Sequence, residues 1–210
     1  MKNYTLYIVD NHKMFCEGLK NILHKRADIH NIKLFYNGQS VLKALELEQP
    51  NLILGDISMQ EMNGIELLKI VKSKFPLIKY ILISTFNSTG YVKDVMKEGA
   101  NGYITKDSES TEIIEAIKMV MDGNIYISPS LSGKLFKTEY ILTKLTKREI
   151  EVLEKISLGF TSQQISEKLF ISFHTVESHR KSLLAKTECQ NSVELSIWGI
   201  ENGIIQRGSH

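Results

Sequence analysis

Over roughly the first 125 residues, short apolar runs alternate with amphipathic stretches, and alternation of this kind leaves few folds open. The apolar runs are Leu6–Val9, Ile32–Tyr36, Leu52–Leu54, Tyr80–Ile83 and Gly102–Ile104. Each is too short for a buried helix and suits a strand covered on both faces. Between and after them, helices are predicted over Lys13–Lys25, Ser40–Glu48, Gly64–Lys74, Thr89–Glu98 and Ser110–Met121. The last carries Ile113, Ile114, Ile117, Val120 and Met121, one apolar stripe at helical spacing. Residues 1–125 are therefore expected to form an α/β domain with a doubly wound, five-stranded parallel sheet. In such sheets, functional groups gather beyond the carboxyl ends of the strands, where the winding reverses.

The pattern changes after that. Pro129, several serines, Gly133 and scattered lysines make residues 126–143 read as a linker with a short helix around Ser130–Phe136. From 144 to 206 no strand pattern survives, and a small all-α domain of four helices is expected: Lys147–Leu158, Ser162–Leu169, Phe173–Lys186 and Ser192–Asn202. Thr146 followed by Glu149 is a capping box, Gly159 suits the end of the first of these helices, and Ser172 can cap the third. Residues 207–210 read as the remnant of an expression tag.

Charge excludes little by itself. Lys and Arg number 26 against 24 Asp and Glu, with the excess in the helical part, so contact with a polyanion must rest on local placement. No apolar run reaches the roughly 18 residues of a membrane span, and Met1–Tyr4 lead straight into a strand pattern without a secretion signal. Cys16 and Cys189 are too far apart to read as a metal or redox motif. These features predict a cytoplasmic protein with ordinary thiols and no membrane partner.

Polar residues at the strand ends carry the chemistry. Asp10 follows the first strand, Asp56 the third, Ser84 the fourth and Lys106 the fifth. Any one of them alone is an unremarked loop residue. Together at one rim of a doubly wound sheet they place carboxylates, a hydroxyl and an ammonium around a small pocket.

At these residues the chain resembles a known family. Ile8-Val9-Asp10-Asn11-His12, Leu54-Gly55-Asp56-Ile57-Ser58-Met59, Ile83-Ser84-Thr85 and Gly99-Ala100-Asn101-Gly102-Tyr103-Ile104-Thr105-Lys106-Asp107 resemble the flavodoxin-like receiver domains of response regulators. The resemblance implies that Asp56 takes a phosphoryl group from a histidine-kinase partner. It implies Mg²⁺ held by Asp10, Asn11, Asp56 and the Ser58 carbonyl, with Lys106 offsetting phosphoryl charge. Ser84 would then hydrogen-bond the phosphoryl group and Tyr103 swing inward behind it. Three positions depart from the familiar pattern. Asn11 replaces a second acid, which should weaken Mg²⁺; Gln60 replaces a proline after the methionine; and Gly55 replaces a large aliphatic residue before the nucleophile.

The segment from Leu145-Thr146-Lys147-Arg148-Glu149 through Ile171-Ser172-Phe173-His174-Thr175-Val176-Glu177-Ser178-His179-Arg180 is similar to the LuxR-type helix-turn-helix, so the whole resembles a NarL/FixJ-class response regulator. The helix over Phe173–Lys186 would enter the major groove. Its outward faces are expected to carry Glu177, Ser178, Arg180 and Lys181. The resemblance puts Glu177, Ser178 and Lys181 near bases. Thr161, Thr175, His179 and Arg180 are candidates for phosphate contacts or for orienting the helix. Blander roles stay open at this point: His179 as a half-buried helix residue, Glu177, Arg180 and Lys181 as solvated charges. Ser162 and Gln164 stand where an Asn and a Glu are common. In this family the last helix commonly pairs two copies, which implies a homodimer on palindromic DNA.

The expected function is a two-component transcription regulator switched by phosphorylation and without catalytic residues of its own. The alternative is a regulator acting independently of phosphorylation, through dimerisation or a protein partner. A phosphatase of the haloacid dehalogenase type would need an acid two residues after the nucleophile, where this chain has Ser58.

Overall fold

The computed structural model describes residues 4–25 and 28–204, so the tag remnant expected at 207–210 lies outside the described residues. The chain divides into two compact units, one built on a sheet and one helical. In the first, β1 (Tyr4–Val9), β2 (Ile29–Phe35), β3 (Leu52–Asp56), β4 (Lys79–Ser84) and β5 (Gly102–Thr105) alternate with five helices. These are α1 (Lys13–Leu23), α2 (Gly38–Leu45), α3 (Gly64–Lys74), α4 (Thr89–Lys97) and α5 (Ser110–Met121). A sixth strand, β6 (Tyr126–Ile127), was not expected; it pairs with β5 and extends the predicted five strands to six. Two residues are too few to show alternation. What holds them is backbone pairing, Tyr126 N–H to the Asn101 carbonyl and Ser128 N–H to that of Tyr103.

All strand pairs are parallel, in the order β2-β1-β3-β4-β5-β6. The chain winds outward in both directions from between β1 and β3, so the ends of those two strands flank the switch point. Alternation along the strands divides the core. Leu6, Ile8, Leu52, Leu54, Ile81, Ile83 and Ile104 pack against Cys16, Leu19 and Leu23 of α1 and Ile113, Ala116, Ile117 and Val120 of α5. Tyr7, Val9, Ile53, Tyr80, Leu82 and Tyr103, all buried, alternate to the other face. α3 begins hard against β3. A Cβ at Gly64 would lie 2.0 Å from the Asp56 carbonyl oxygen, so only glycine lets the helix start there.

The stretch expected as a linker contains a 16-residue helix, α6 (Pro129–Lys144). Its serines and Gly133 mask the pattern, but Pro129 at the first helical position is itself a start signal. α7 (Lys147–Ser157), α8 (Ser162–Leu169), α9 (Phe173–Thr187) and α10 (Ser192–Glu201) follow. Val152, Leu153, Ile156, Ile165, Val176, Leu183 and Leu195 form one core, with Leu142 of α6 packed against it. The expected capping box at Thr146 and Glu149 is present, Ser172 accepts from the Thr175 N–H, and a further box joins Thr161 to Gln164. No described helix is long and apolar enough to cross a membrane.

Candidate functional site

Asp10, just past β1, and Asp56, the last residue of β3, are 1% and 2% exposed. Burying two carboxylates side by side is costly unless cations answer them. Lys106 does so in part, its Nζ 2.7 Å from Asp10 Oδ2 and 3.0 Å from Asp56 Oδ2. Burial alone would depress the Lys106 pKa, but the hydrogen bonds and charges of the two aspartates outweigh it and raise the value. The ammonium is thus fixed as a cation. It also lies 5.2 Å from the centre of the Phe15 ring, which walls one side. Asp56 Oδ1 is buried and has no hydrogen-bond partner among the described residues. An orphaned carboxylate oxygen next to a second carboxylate is a place for a divalent cation, so the donor set fits one.

The other predicted pocket residues are close in the fold. The Lys106 N–H donates to the Ser84 carbonyl at 2.8 Å, locking the ends of β4 and β5 together. Ser84 is fully buried, and its hydroxyl oxygen accepts from the Phe86 N–H at 3.0 Å. Tyr103, expected to swing inward, is already fully buried, and its hydroxyl donates to the Phe86 carbonyl at 2.7 Å. Ser84 and Tyr103 therefore hold the two ends of one peptide residue. Asn11 and Ser58 are exposed beside the aspartates.

On the helical unit, Glu177, Ser178 and Lys181 are exposed along α9, and Thr161 is exposed as the cap of α8. His179 and Thr175 are half-buried, and the Thr175 hydroxyl pairs with that of Ser172 at 2.8 Å. Arg180 is not on an outward face as expected. Its side chain is 19% exposed and donates to Ser162 Oγ at 2.7 Å and to Ser192 Oγ, tying α9 to α8 and α10. The physical reason is that two serines at flanking helix starts offer acceptors, and a guanidinium satisfies both at once. Ser162 in turn donates to Glu177 Oε1 at 2.5 Å, so one exposed carboxylate of α9 is pinned from α8.

The match to known families rests on both units. Residues 6–118 match the response regulator receiver domain, and residues 143–198 match the luxR family of bacterial regulatory proteins. The chain belongs to the response-regulator family. Among curated relatives, it is 31% identical to the transcriptional regulatory protein LnrK of Bacillus subtilis, over 95% of this chain and 97% of that protein. It is 30% identical to the nitrate/nitrite response regulator protein NarL of Escherichia coli K12, over 92% and 94%. A structure of the response regulator RcsB bound to DNA superposes with a TM-score of 0.73 at 24% identity, covering 95% of this chain and 99% of that one. That likeness concerns the fold.

Within this response regulator, three features of the pocket lie beyond what the linear sequence suggested. Gly55 has a cause on the neighbouring strand, because a Cβ there would lie 2.4 Å from the Tyr80 hydroxyl oxygen. The Tyr80 ring fills the space an aliphatic side chain would take, and its hydroxyl is buried without a hydrogen-bond partner among the described residues. Burial, with Asp56 adding its charge, pushes the Tyr80 pKa far up, so the phenol stays neutral. Where a proline is common, the Met62 N–H donates to the Gln60 carbonyl at 2.7 Å across Glu61 at φ 66°, a γ-turn of the strained kind. The third is His12, whose Nδ1 is 2.9 Å from Asp10 Oδ1; a histidine two residues past a strand-end aspartate was the available signal.

Proposed function

We propose that Asp56 is the phosphoacceptor of a transcription regulator whose DNA binding is set by phosphorylation. The observation that carries this is the Asp56 carboxylate, buried at the switch point with Oδ2 on Lys106 and Oδ1 unpartnered among the described residues. A buried carboxylate oxygen so poor in donors keeps its lone pairs free and is a nucleophile held ready. Its oxygen would form a bond to phosphorus as the P–N bond of a phosphohistidine breaks, the imidazole of the kinase leaving. Lys106 offsets the charge gathering on the phosphoryl oxygens. Asp10, Asn11, Asp56 and the Ser58 carbonyl would hold a divalent cation, Mg²⁺ by family resemblance, which supplies charge neutralisation when bound.

Ser84 has a hydroxyl hydrogen to give to a phosphoryl oxygen. Turning toward it weakens its acceptance from the Phe86 N–H, and Phe86 is also the residue to which Tyr103 is bonded. One event at Asp56 therefore pulls on Phe86, the loop residue that Ser84 and Tyr103 both hold, the arrangement a two-state switch needs. The only covalent chemistry is on the protein's own aspartate, so we read it as a non-enzymatic regulator, acting in the cytoplasm.

For the helical unit we read α9 as the recognition helix. Ser178, Lys181 and Glu177 face bases, Thr161, Thr175 and His179 sit near the backbone, and Arg180 orients the helix from behind. Exposed Val193 and Ile197, one turn apart on α10, offer an apolar contact for a second copy, in keeping with a dimer on two half-sites. A second reading has one observation in its favour: the exposed amide of Asn11 removes a negative charge from the pocket, which suits control by a partner protein instead of phosphate.

Intact-protein mass after incubation with acetyl phosphate, with and without Mg²⁺, separates the two. A metal-dependent phosphate adduct that vanishes in Asp56→Ala is the expected result. No adduct at high metal concentration would sink phosphorylation control and leave the partner-driven reading.

A further inference from the structure

The pocket holds a donor that the usual receiver pattern does not use. One ligand atom each from Asp10, His12 and Asp56 lie within 4.8 Å of one another. Lys106 takes the Oδ2 atoms of both aspartates, which leaves Asp10 Oδ1 and Asp56 Oδ1. The first accepts from the His12 backbone N–H at 2.8 Å and lies 2.9 Å from His12 Nδ1, and the second is buried and unpartnered among the described residues. His12 caps α1 with its backbone alone, since its side chain makes no capping hydrogen bond. The imidazole is thus held at the pocket by Asp10 and by nothing in the helix start.

We propose that Asp10, His12 and Asp56 form a divalent-metal site with an imidazole ligand, selective for a first-row transition ion, with Mn²⁺ bound in preference to Mg²⁺. This rests on the reading of the pocket as a metal-assisted phosphoacceptor site and changes the identity of its ion. Two arguments support it. The first is geometric. Two ligands at right angles, each about 2.1 Å from an ion, are about 3 Å apart, and Nδ1 and Oδ1 are 2.9 Å apart. An ion can take that edge in place of the hydrogen bond once the imidazole turns so that its Nδ1 lone pair faces the ion instead of Asp10. His12, 66% exposed, lies on the solvent side and leaves an entry path.

The second argument is chemical. With Asn11 neutral and Lys106 inside, the two aspartates leave the pocket a net charge of only −1. A hard ion held by charge alone loses much of its grip there. Mg²⁺ prefers oxygen and gains little from a nitrogen lone pair, whereas first-row transition ions gain from imidazole, Mn²⁺ the least of them and the later ions more. Loss of the second acid and presence of the imidazole therefore shift selectivity in the same direction.

The test uses the full-length chain and Mn²⁺ as the probe. Binding is followed by loss of the free-ion electron paramagnetic resonance signal, and directly bonded nitrogen by electron spin-echo modulation. The expected result is one Mn²⁺ per chain with an imidazole nitrogen signature. His12→Ala removes that signature and weakens Mn²⁺ by about tenfold or more, while Mg²⁺ measured by competition changes far less. Asn11→Asp turns a neutral oxygen donor into a negatively charged one and narrows the Mn²⁺ preference. Circular dichroism of each variant checks that the fold is kept. Mn²⁺ bound without nitrogen modulation, or displaced by Mg²⁺ equally well in wild type and His12→Ala, overturns the imidazole site and leaves the phosphoacceptor reading standing. Failure of both ions to bind overturns both.

Discussion

Glu149 offers a measurement whose size can be worked out beforehand. It lies in the first turn of α7, is 3% exposed, and collects donors from α9 and from the Thr146 cap. Lys186 Nζ lies 2.7 and 2.8 Å from its two oxygens, Ser182 Oγ donates at 2.6 Å, and the Thr146 N–H donates at 2.7 Å. Burial by itself would raise its pKa, but these donors reverse the effect and hold it at about 2, against an ordinary 4.5. The folded state therefore favours the carboxylate. That stabilisation is complete above pH 4.5 and is lost as pH falls through about 2.

At about 1.4 kcal/mol per pKa unit the shift corresponds to roughly 3 kcal/mol at pH 7. Lys186, whose side chain is 33% exposed, is partly screened, so roughly 2 kcal/mol is the working figure. Glu149→Gln keeps the shape and removes the charge. Trp198, the single tryptophan, packs against the helical core, so its fluorescence during urea unfolding of the full chain reports this unit. The variant is expected to be less stable by roughly 2 kcal/mol at pH 7, and the gap to shrink below roughly 1 kcal/mol at pH 3, where the unfolded chain has taken up the proton that folded Glu149 still largely refuses. A gap under roughly 0.5 kcal/mol at pH 7, or one that stays constant between the two pH values, refutes the reasoning.

Three further outcomes follow from the same geometry. Gly55→Ala puts a methyl against the Tyr80 hydroxyl and should cost roughly 1–3 kcal/mol in thermal unfolding, with part recovered in the Gly55→Ala, Tyr80→Phe double variant; no recovery means the two side chains do not meet. Arg180→Ala should lower the melting temperature of the helical unit as well as DNA affinity, whereas Lys181→Ala should lower affinity in gel-shift assays at unchanged melting temperature. Cys16, whose thiol burial and the Asp10 charge push up to about 11, should resist a thiol reagent at pH 8 in the native protein and react only on unfolding; a fast native reaction of Cys16 contradicts its burial.

Much of the architecture could be read along the chain because it depends on local period. The stripe in α5 and the aliphatic strands of the central sheet repeat often enough to identify themselves, and Ser110–Met121 and Ser162–Leu169 form with the expected ends. β6 was missed, and α6 was read only as a short helix around Ser130–Phe136 within a linker, for opposite reasons. β6 is two residues held by its neighbour's backbone, with no side-chain pattern to read. α6 has the length, but its serines and Gly133 carry the composition of a linker, and its start signal, Pro129, also occurs in loops. In the pocket, the strand-end rule located Asp10, Asp56, Ser84 and Lys106, because topology alone brings those ends together. The direction of a side chain within that rim is a different matter. That Arg180 turns inward depends on serines from two other helices, and that Tyr103 is already buried depends on the loop at Phe86.

The departures from the familiar pattern share a feature that bears on how they should be tested. Gly55 is matched by a tyrosine on the adjacent strand that needs the room, and Ser162 by an arginine and a glutamate from α9 that both bond to it. Asn11 is followed by a histidine that turns toward Asp10. Gly55 and Ser162 thus each have a specific spatial partner, and there the pair, not the residue, is the unit that fits. In a close-packed interior a volume or a hydrogen bond removed at one position must be supplied at the other. Restoring the common residue at one position alone, as in Gly55→Leu or Ser162→Asn, should therefore lower the melting temperature instead of raising it. Restoring Gly55→Leu together with Tyr80→Val should recover most of the loss, because the leucine then fills the space the ring has left.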